Sequence, residues 1–217
     1  MTVAHTPIAS PATVALDHQR GLAIIDVDEV LALFIKGFDR YIRPFGYEFR
    51  LIHFGLFNNI FEVGAETPAD RGRAKSLYDS FFAEGCGDID PAPGAVDGLR
   101  ALSDVAGVVI LTNAPETARQ LRMGWLRRHG MDYPMLLNEG PKGAAVKALA
   151  DRTSGPVLFV DDLLHNLDSV ADHAPRVVRV QMVADQDLRP LAPASDRHRR
   201  IDDWSALADV ARREVFI

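Results

Sequence analysis

The residues in this chain best placed to do chemistry are two aspartates that follow an apolar run. In Gly21-Leu22-Ala23-Ile24-Ile25-Asp26-Val27-Asp28 the four residues from Leu22 to Ile25 read as a strand buried on both faces of a parallel sheet. Asp26 and Asp28 come at its C-terminal end, where open α/β sheets place their ligand sites. An all-oxygen cluster there suits a hard cation such as Mg²⁺, although Asp is also a common turn former. Two more strand-like runs end in polar residues. Val108 to Leu111 leads into Thr112 and Asn113, and Val157 to Val160 leads into Asp161 and Asp162. Between them, Lys142 stands at the start of a helical stretch. Each has a plain structural use, Thr112 and the Asp161-Asp162 pair as helix caps and Lys142 as a solvated cation. Gathered on one sheet edge, they would form a set of carboxylates, a hydroxyl and an ammonium, with the carboxylates able to hold a divalent cation.

The elements that must position these residues alternate. After Pro91-Ala92-Pro93-Gly94 the pattern predicts a helix over 95–105, a strand over 108–111 and a helix over 115–129, with Gly130 just past its end. A short strand at 135–137, a helix over 142–152, a strand over 157–160 and a helix over 164–173 follow. A strand over 177–182 and a helix over 204–213 complete the series, with 185–200 read as a loop. This alternation implies an α/β, Rossmann-like three-layer sandwich with a mainly parallel sheet. Residues 1–19 read as a loose N-terminal arm, and residues 20–33 with 89–217 as the core.

Between the core segments, residues 34–88 form an insert of different composition. Twelve of the fifteen Phe and Tyr residues fall there. Phe34-Phe38-Tyr41-Phe45 and Phe54-Phe57-Phe61 recur at helical spacing, and Thr67-Pro68-Ala69-Asp70 signals a helix running to about Glu84. The expectation is a small helical cap inserted after the first strand. Its polar substrate contacts would come from Arg43, Arg50, His53, Asn58, Asn59, Arg71, Arg73 and Lys75.

The chain has 217 residues, 47% of them hydrophobic and 25% charged, with a formal net charge of −6. That charge argues against general affinity for nucleic acid or anionic membranes, and no apolar run approaches the ~18 residues of a membrane span. A single cysteine, Cys86, precludes an internal disulfide. With no signal peptide evident in the first twenty residues, the expected compartment is the cytoplasm.

The order Asp26-x-Asp28, Thr112, Lys142, Asp161-Asp162 resembles the haloacid dehalogenase superfamily, and its phosphatase branch best. The insert is similar to that superfamily's cap of the first type. The resemblance implies Asp26 as nucleophile, forming an aspartyl-phosphate, and Asp28 as the acid for the leaving oxygen and then the base for water. It implies that Thr112 and Asn113 hold the phosphoryl oxygens, with Lys142 neutralising charge. Mg²⁺ would bind Asp26, Asp28 through its carbonyl, Asp161 and Asp162, with Asn166 behind them. Asp28 favours phosphate over halide chemistry, since a halide leaves without a proton. Glu29 and Val30 stand where a small residue and Thr are frequent. The implied activity is Mg²⁺-dependent hydrolysis of a small phosphorylated metabolite. A phosphomutase or phosphotransferase with the same nucleophile and a non-catalytic binding relative are the alternatives. A signalling receiver would share the residue types but not the order, because its lysine follows its other motifs.

Overall fold

The structure, a computed structural model, describes residues 10–17 and 20–217. The remainder of the arm reading lies outside the described residues. In chain order the first elements are β1 (Gly21–Ile25), α1 (Phe34–Ile42), β2 (Tyr47–Phe49), β3 (Ile60–Glu62) and α2 (Arg71–Ser80). Next come α3 (Ala95–Ser103), β4 (Ala106–Thr112), α4 (Arg119–Arg128), β5 (Met135–Leu137) and α5 (Gly143–Ala150). The chain ends with β6 (Val157–Asp161), α6 (Leu164–His173), β7 (Val178–Gln181), β8 (Arg199–Arg200) and α7 (Trp204–Val210).

Six strands form one sheet in the order β5-β4-β1-β6-β7-β8, and every neighbouring pair is parallel. Side chains alternate between its two faces, as the pleat requires. Ala23, Ile25, Val108, Ile110, Leu158 and Val160 pack with Leu99, Trp125 and Leu207 of α3, α4 and α7. Leu22, Ile24, Val109, Leu111, Val157 and Phe159 pack with Val146 and Leu149 of α5 and Leu167 and Val170 of α6. Burial on both faces explains why these strands are continuous apolar runs. Val14 of the arm is also buried in the second cluster, and the Arg152 guanidinium donates to the carbonyls of Pro11 and Val14.

The insert departs from the all-helical expectation. Phe34 and Phe38 lie on α1 as the spacing predicts, but Phe61 lies on a strand: β2 and β3 form an antiparallel hairpin. Gly46 and Gly64, both with positive φ, flank the hairpin at its open end, and Gly55, also with positive φ, lies in the loop that closes it, so a continuous helix cannot form. The buried Asn59 buckles that loop. Its side chain accepts from the N–H groups of Ile52 and His53 and donates to the carbonyls of His53 and Gly55, so it is not a free substrate contact. Helix α2 begins where expected, with the Asp70 carboxylate capping the N–H groups of Gly72 and Arg73. In the region read as a loop over 185–200, a 3₁₀ turn forms at Arg189–Leu191, and β8 extends the sheet edge beside β7.

Candidate active site

The register of β1 on β6 brings the acidic residues together. Ile25 lies beside Val160, and the Asp26 N–H donates to the Val160 carbonyl, so Asp26 and Asp161 follow as neighbours. By alternation both point to the face covered by α5, whose first residue is preceded by Lys142. The wholly buried Lys142 ammonium bridges them, 2.6 Å from Asp26 Oδ1 and 2.7 Å from Asp161 Oδ2. Burial alone would lower the Lys142 pKa, but Asp161 and Asp26 more than offset it and hold it above the ordinary value.

Oxygens of Asp26, Asp161 and Asp162 all lie within 4.8 Å of one another. Within that trio the roles divide. Asp161 is saturated with donors, accepting from the Leu163 N–H, from Lys142 and from both-sided contact with Asn166 Nδ2 at 3.0 and 3.2 Å. It fastens Lys142 and Asn166 in place. Among the described residues the Asp162 carboxylate has no such donor, and burial, with Asp161 and Asp26 beside it, pushes it well above the usual carboxylate range. Asp26 behaves alike. Burial raises it, Lys142 pulls it back, and Asp161 and Asp28 push it up again, to about 7. Three buried carboxylates facing one ammonium are short of positive charge, and all-oxygen donors are what a hard divalent cation takes. The residues fit such an ion.

Asp28 lines the same cavity but stands outside the trio. Its Oδ1 accepts from Nη2 of Arg122 on α4, a guanidinium with no exposed surface that also lies 5.4 Å over the Phe82 ring. The Asp28 side chain keeps 23% of its surface exposed. Burial raises its pKa, with Arg122 and Lys142 opposing. Arg122 escaped the sequence reading because it sits in a helix of many basic residues, and only packing singles it out. Glu29 is likewise buried: its Oε1 accepts from the Ile35 N–H at 2.8 Å, its φ is +59°, and burial raises it to about 8. Thr112 Oγ1 is fully buried and has no hydrogen-bond partner among the described residues. Asn113 reaches the cavity wall, tied to the Gly140 carbonyl and to Asn138.

No protein-family model and no curated protein matches the sequence. Solved structures do match the fold. A candidate phosphatase from Clostridium difficile superposes with a TM-score of 0.57 at 13% identity, over 89% of this chain and 99% of its own. The defluorinating L-2-haloacid dehalogenase Rha0230 gives 0.56 at 14%, over 89% and 95%. A haloacid dehalogenase-like family hydrolase from Streptococcus pneumoniae gives 0.54 at 14%, over 88% and 98%. The chain has the haloacid dehalogenase-like fold. In this haloacid dehalogenase-like sheet Asp26, Asp161 and Lys142 meet at the C-terminal edge of the central strands, and Asp162, Asp28 and Asn113 line the cavity beside them.

Proposed function

We propose that the protein is a Mg²⁺-dependent phosphomonoester hydrolase acting on a small phosphorylated metabolite, through an aspartyl-phosphate on Asp26. The observation carrying the reading is the buried Lys142 bridge between Asp26 and Asp161, with Asp162 free beside it and Asp28 in the same cavity. Asp26, Asp162 and, at one remove, Asp161 would hold the ion, which when bound supplies positive charge against the phosphoryl oxygens. Lys142 favours the ionised form of Asp26 against the burial and neighbouring carboxylates that oppose it, and keeps its carboxylate aimed. Asp26 attacks phosphorus, the P–O bond to the alcohol breaks, and the Asp28 carboxyl gives its proton to the leaving oxygen. In the second step Asp28 takes a proton from water, whose oxygen attacks phosphorus and frees Asp26 and inorganic phosphate.

Asp28 separates this reading from dehalogenation, because a departing halide needs no proton. We expect Mg²⁺-dependent phosphate release from para-nitrophenyl phosphate, abolished by chelator and by Asp26→Asn, and no halide release from 2-chloropropionate. Halide release without phosphate release would reverse the assignment. The apolar side chains of the insert over Asp26 also favour a second reading, a phosphotransferase that excludes water until an acceptor alcohol arrives. Phosphate release that needs an added alcohol would support that reading. We place the protein in the cytoplasm, with nucleic acid and membranes outside its range of partners. No helix among the described residues is long and apolar enough to cross a membrane.

A further inference from the structure

The cavity above Asp26 has one charged end and an otherwise apolar wall. Its volume is about 410 Å³, within the range of small-molecule sites. Away from the carboxylates it is walled by Phe34 and Ile35 of α1, by Phe54, Leu56 and Phe57 of the hairpin loop, and by Tyr78 of α2. Among the described residues Lys142 is the single basic side chain on that wall, and it is already paired with Asp26 and Asp161. The cations of the insert are engaged elsewhere. Arg50 pairs with Glu48 and lies over Phe61, Arg73 lies over Tyr47, and Lys75 pairs with Asp79. Arg71 lies over the Phe57 ring at 5.7 Å without lining the cavity. Glu29 adds a carboxyl to the wall, not a cation.

A second phosphate or carboxylate on the substrate would therefore lose its water and find no partner, which is costly. Sugar hydroxyls would gain less than carbon, since the Asn113 amide and the Asn166 Nδ2 already bond to Gly140, Asn138 and Asp161, and the acceptors left unpartnered, Asn166 Oδ1 and Glu29 Oε2, are confined to the acidic side of the cavity. An alkyl or aryl body, by contrast, gains from burial against five carbon-rich side chains and the Tyr78 ring. We infer that the phosphate ester taken by this site carries one anionic group and an apolar body, and is not a sugar bisphosphate, nucleoside polyphosphate or phosphorylated acid. The inference rests on the phosphatase reading for the head group and on the cavity wall for the body.

The test compares kcat/KM, with Mg²⁺, for methyl, propyl and hexyl phosphate against glycerol 3-phosphate and 3-phosphoglycerate. All five release alkyl oxygens, so leaving-group chemistry is similar. The expected result is a rise of up to about fourfold per methylene along the alkyl series until the wall is covered. Propyl phosphate should exceed glycerol 3-phosphate, and 3-phosphoglycerate should be poorest. Leu56→Lys, which places a second cation on the wall, should narrow or reverse the gap between hexyl phosphate and 3-phosphoglycerate. A flat alkyl series, or 3-phosphoglycerate outrunning propyl phosphate, would overturn the inference while the phosphatase reading stands. If no ester is hydrolysed, the phosphatase reading falls, and calorimetric binding of hexylphosphonate against phosphonoacetate to the same Mg²⁺-supplemented protein decides the inference. Tighter hexylphosphonate upholds it; equal or reversed affinity overturns it.

Discussion

At the scale of single residues the site is a set of charges that stand only in combination. Arg122 and Asp28 are the clearest case. Arg122→Met would leave Asp28 charged, mostly enclosed and unpaired, at a cost of up to about 3–5 kcal/mol, the upper end discounted because Asp28 keeps some exposure. Adding Asp28→Asn should return much of that loss. Urea unfolding of the two single variants and the double variant checks this, and strictly additive losses would show that the pair is not coupled. Tyr78 gives a pH signature of the same surroundings. Burial, and then the charge of Asp28, pushes its phenol up to about 12. A folded pKa above the unfolded value near 10 means that the stability involved is complete below pH 10 and lost as pH rises through 12. An absorbance titration should show a late phenol phase near pH 12 that Tyr78→Phe removes and Asp28→Asn moves to lower pH. An unmoved phase would leave burial as the sole cause.

At the scale of elements, the decisive contact is between α5 and α6, because α5 carries Lys142 into the site. Gly143 permits it. A Cβ there would meet the backbone oxygen and hydroxyl of Ser169 and the His173 ring well inside normal contact distance. Gly143→Ala should therefore push α5 off α6, cost about 1–3 kcal/mol, and shift Lys142 from its two carboxylates. Turnover should fall by more than tenfold if the ammonium moves by about an ångström. Full activity in a destabilised variant would show that Lys142 is held by its ion pairs and not by the helix.

At the scale of the whole molecule, two tryptophans pin the insert to the core. The segments entering and leaving it run side by side, with the Leu33 N–H bonded to the Asp90 carbonyl and the Ala92 N–H to the Leu31 carbonyl. Trp204 of α7 donates to the Val30 carbonyl at 2.9 Å, and Trp125 of α4 donates to the Ile89 carbonyl at 2.7 Å. Both indoles are buried, so each donor satisfies a carbonyl that water cannot reach. Trp125→Phe removes one donor and should cost about 1–3 kcal/mol, which for a chain of this size lowers Tm by roughly 2–4 °C per kcal/mol. Because this pin lies at the neck of the insert, KM for a substrate touching Phe57 should rise as well. An unchanged Tm would mean that the Ile89 carbonyl finds another partner.

What the sequence by itself determined follows from local rules. Apolar runs at 22–25, 108–111 and 157–160 read as doubly buried strands, and in a parallel sheet the polar residues after them fall on one edge. Asp26, Lys142 and the Asp161-Asp162 pair were legible for that reason, as was the Asp70 cap of α2. Tertiary structure decided the rest. Helical spacing of aromatics cannot distinguish a helix from a hairpin whose rings reach the same core, so Phe61 was misplaced, and β8 is too short to carry a pattern. The division of labour between Asp161 and Asp162 depends on which carboxylate the Asn166 amide reaches. Arg122 became a partner of Asp28 only because α4 packs against the sheet 94 residues further along the chain. Charge pairing across such separations leaves no trace in local spacing, because it is set by the packing of elements and not by the residues beside it.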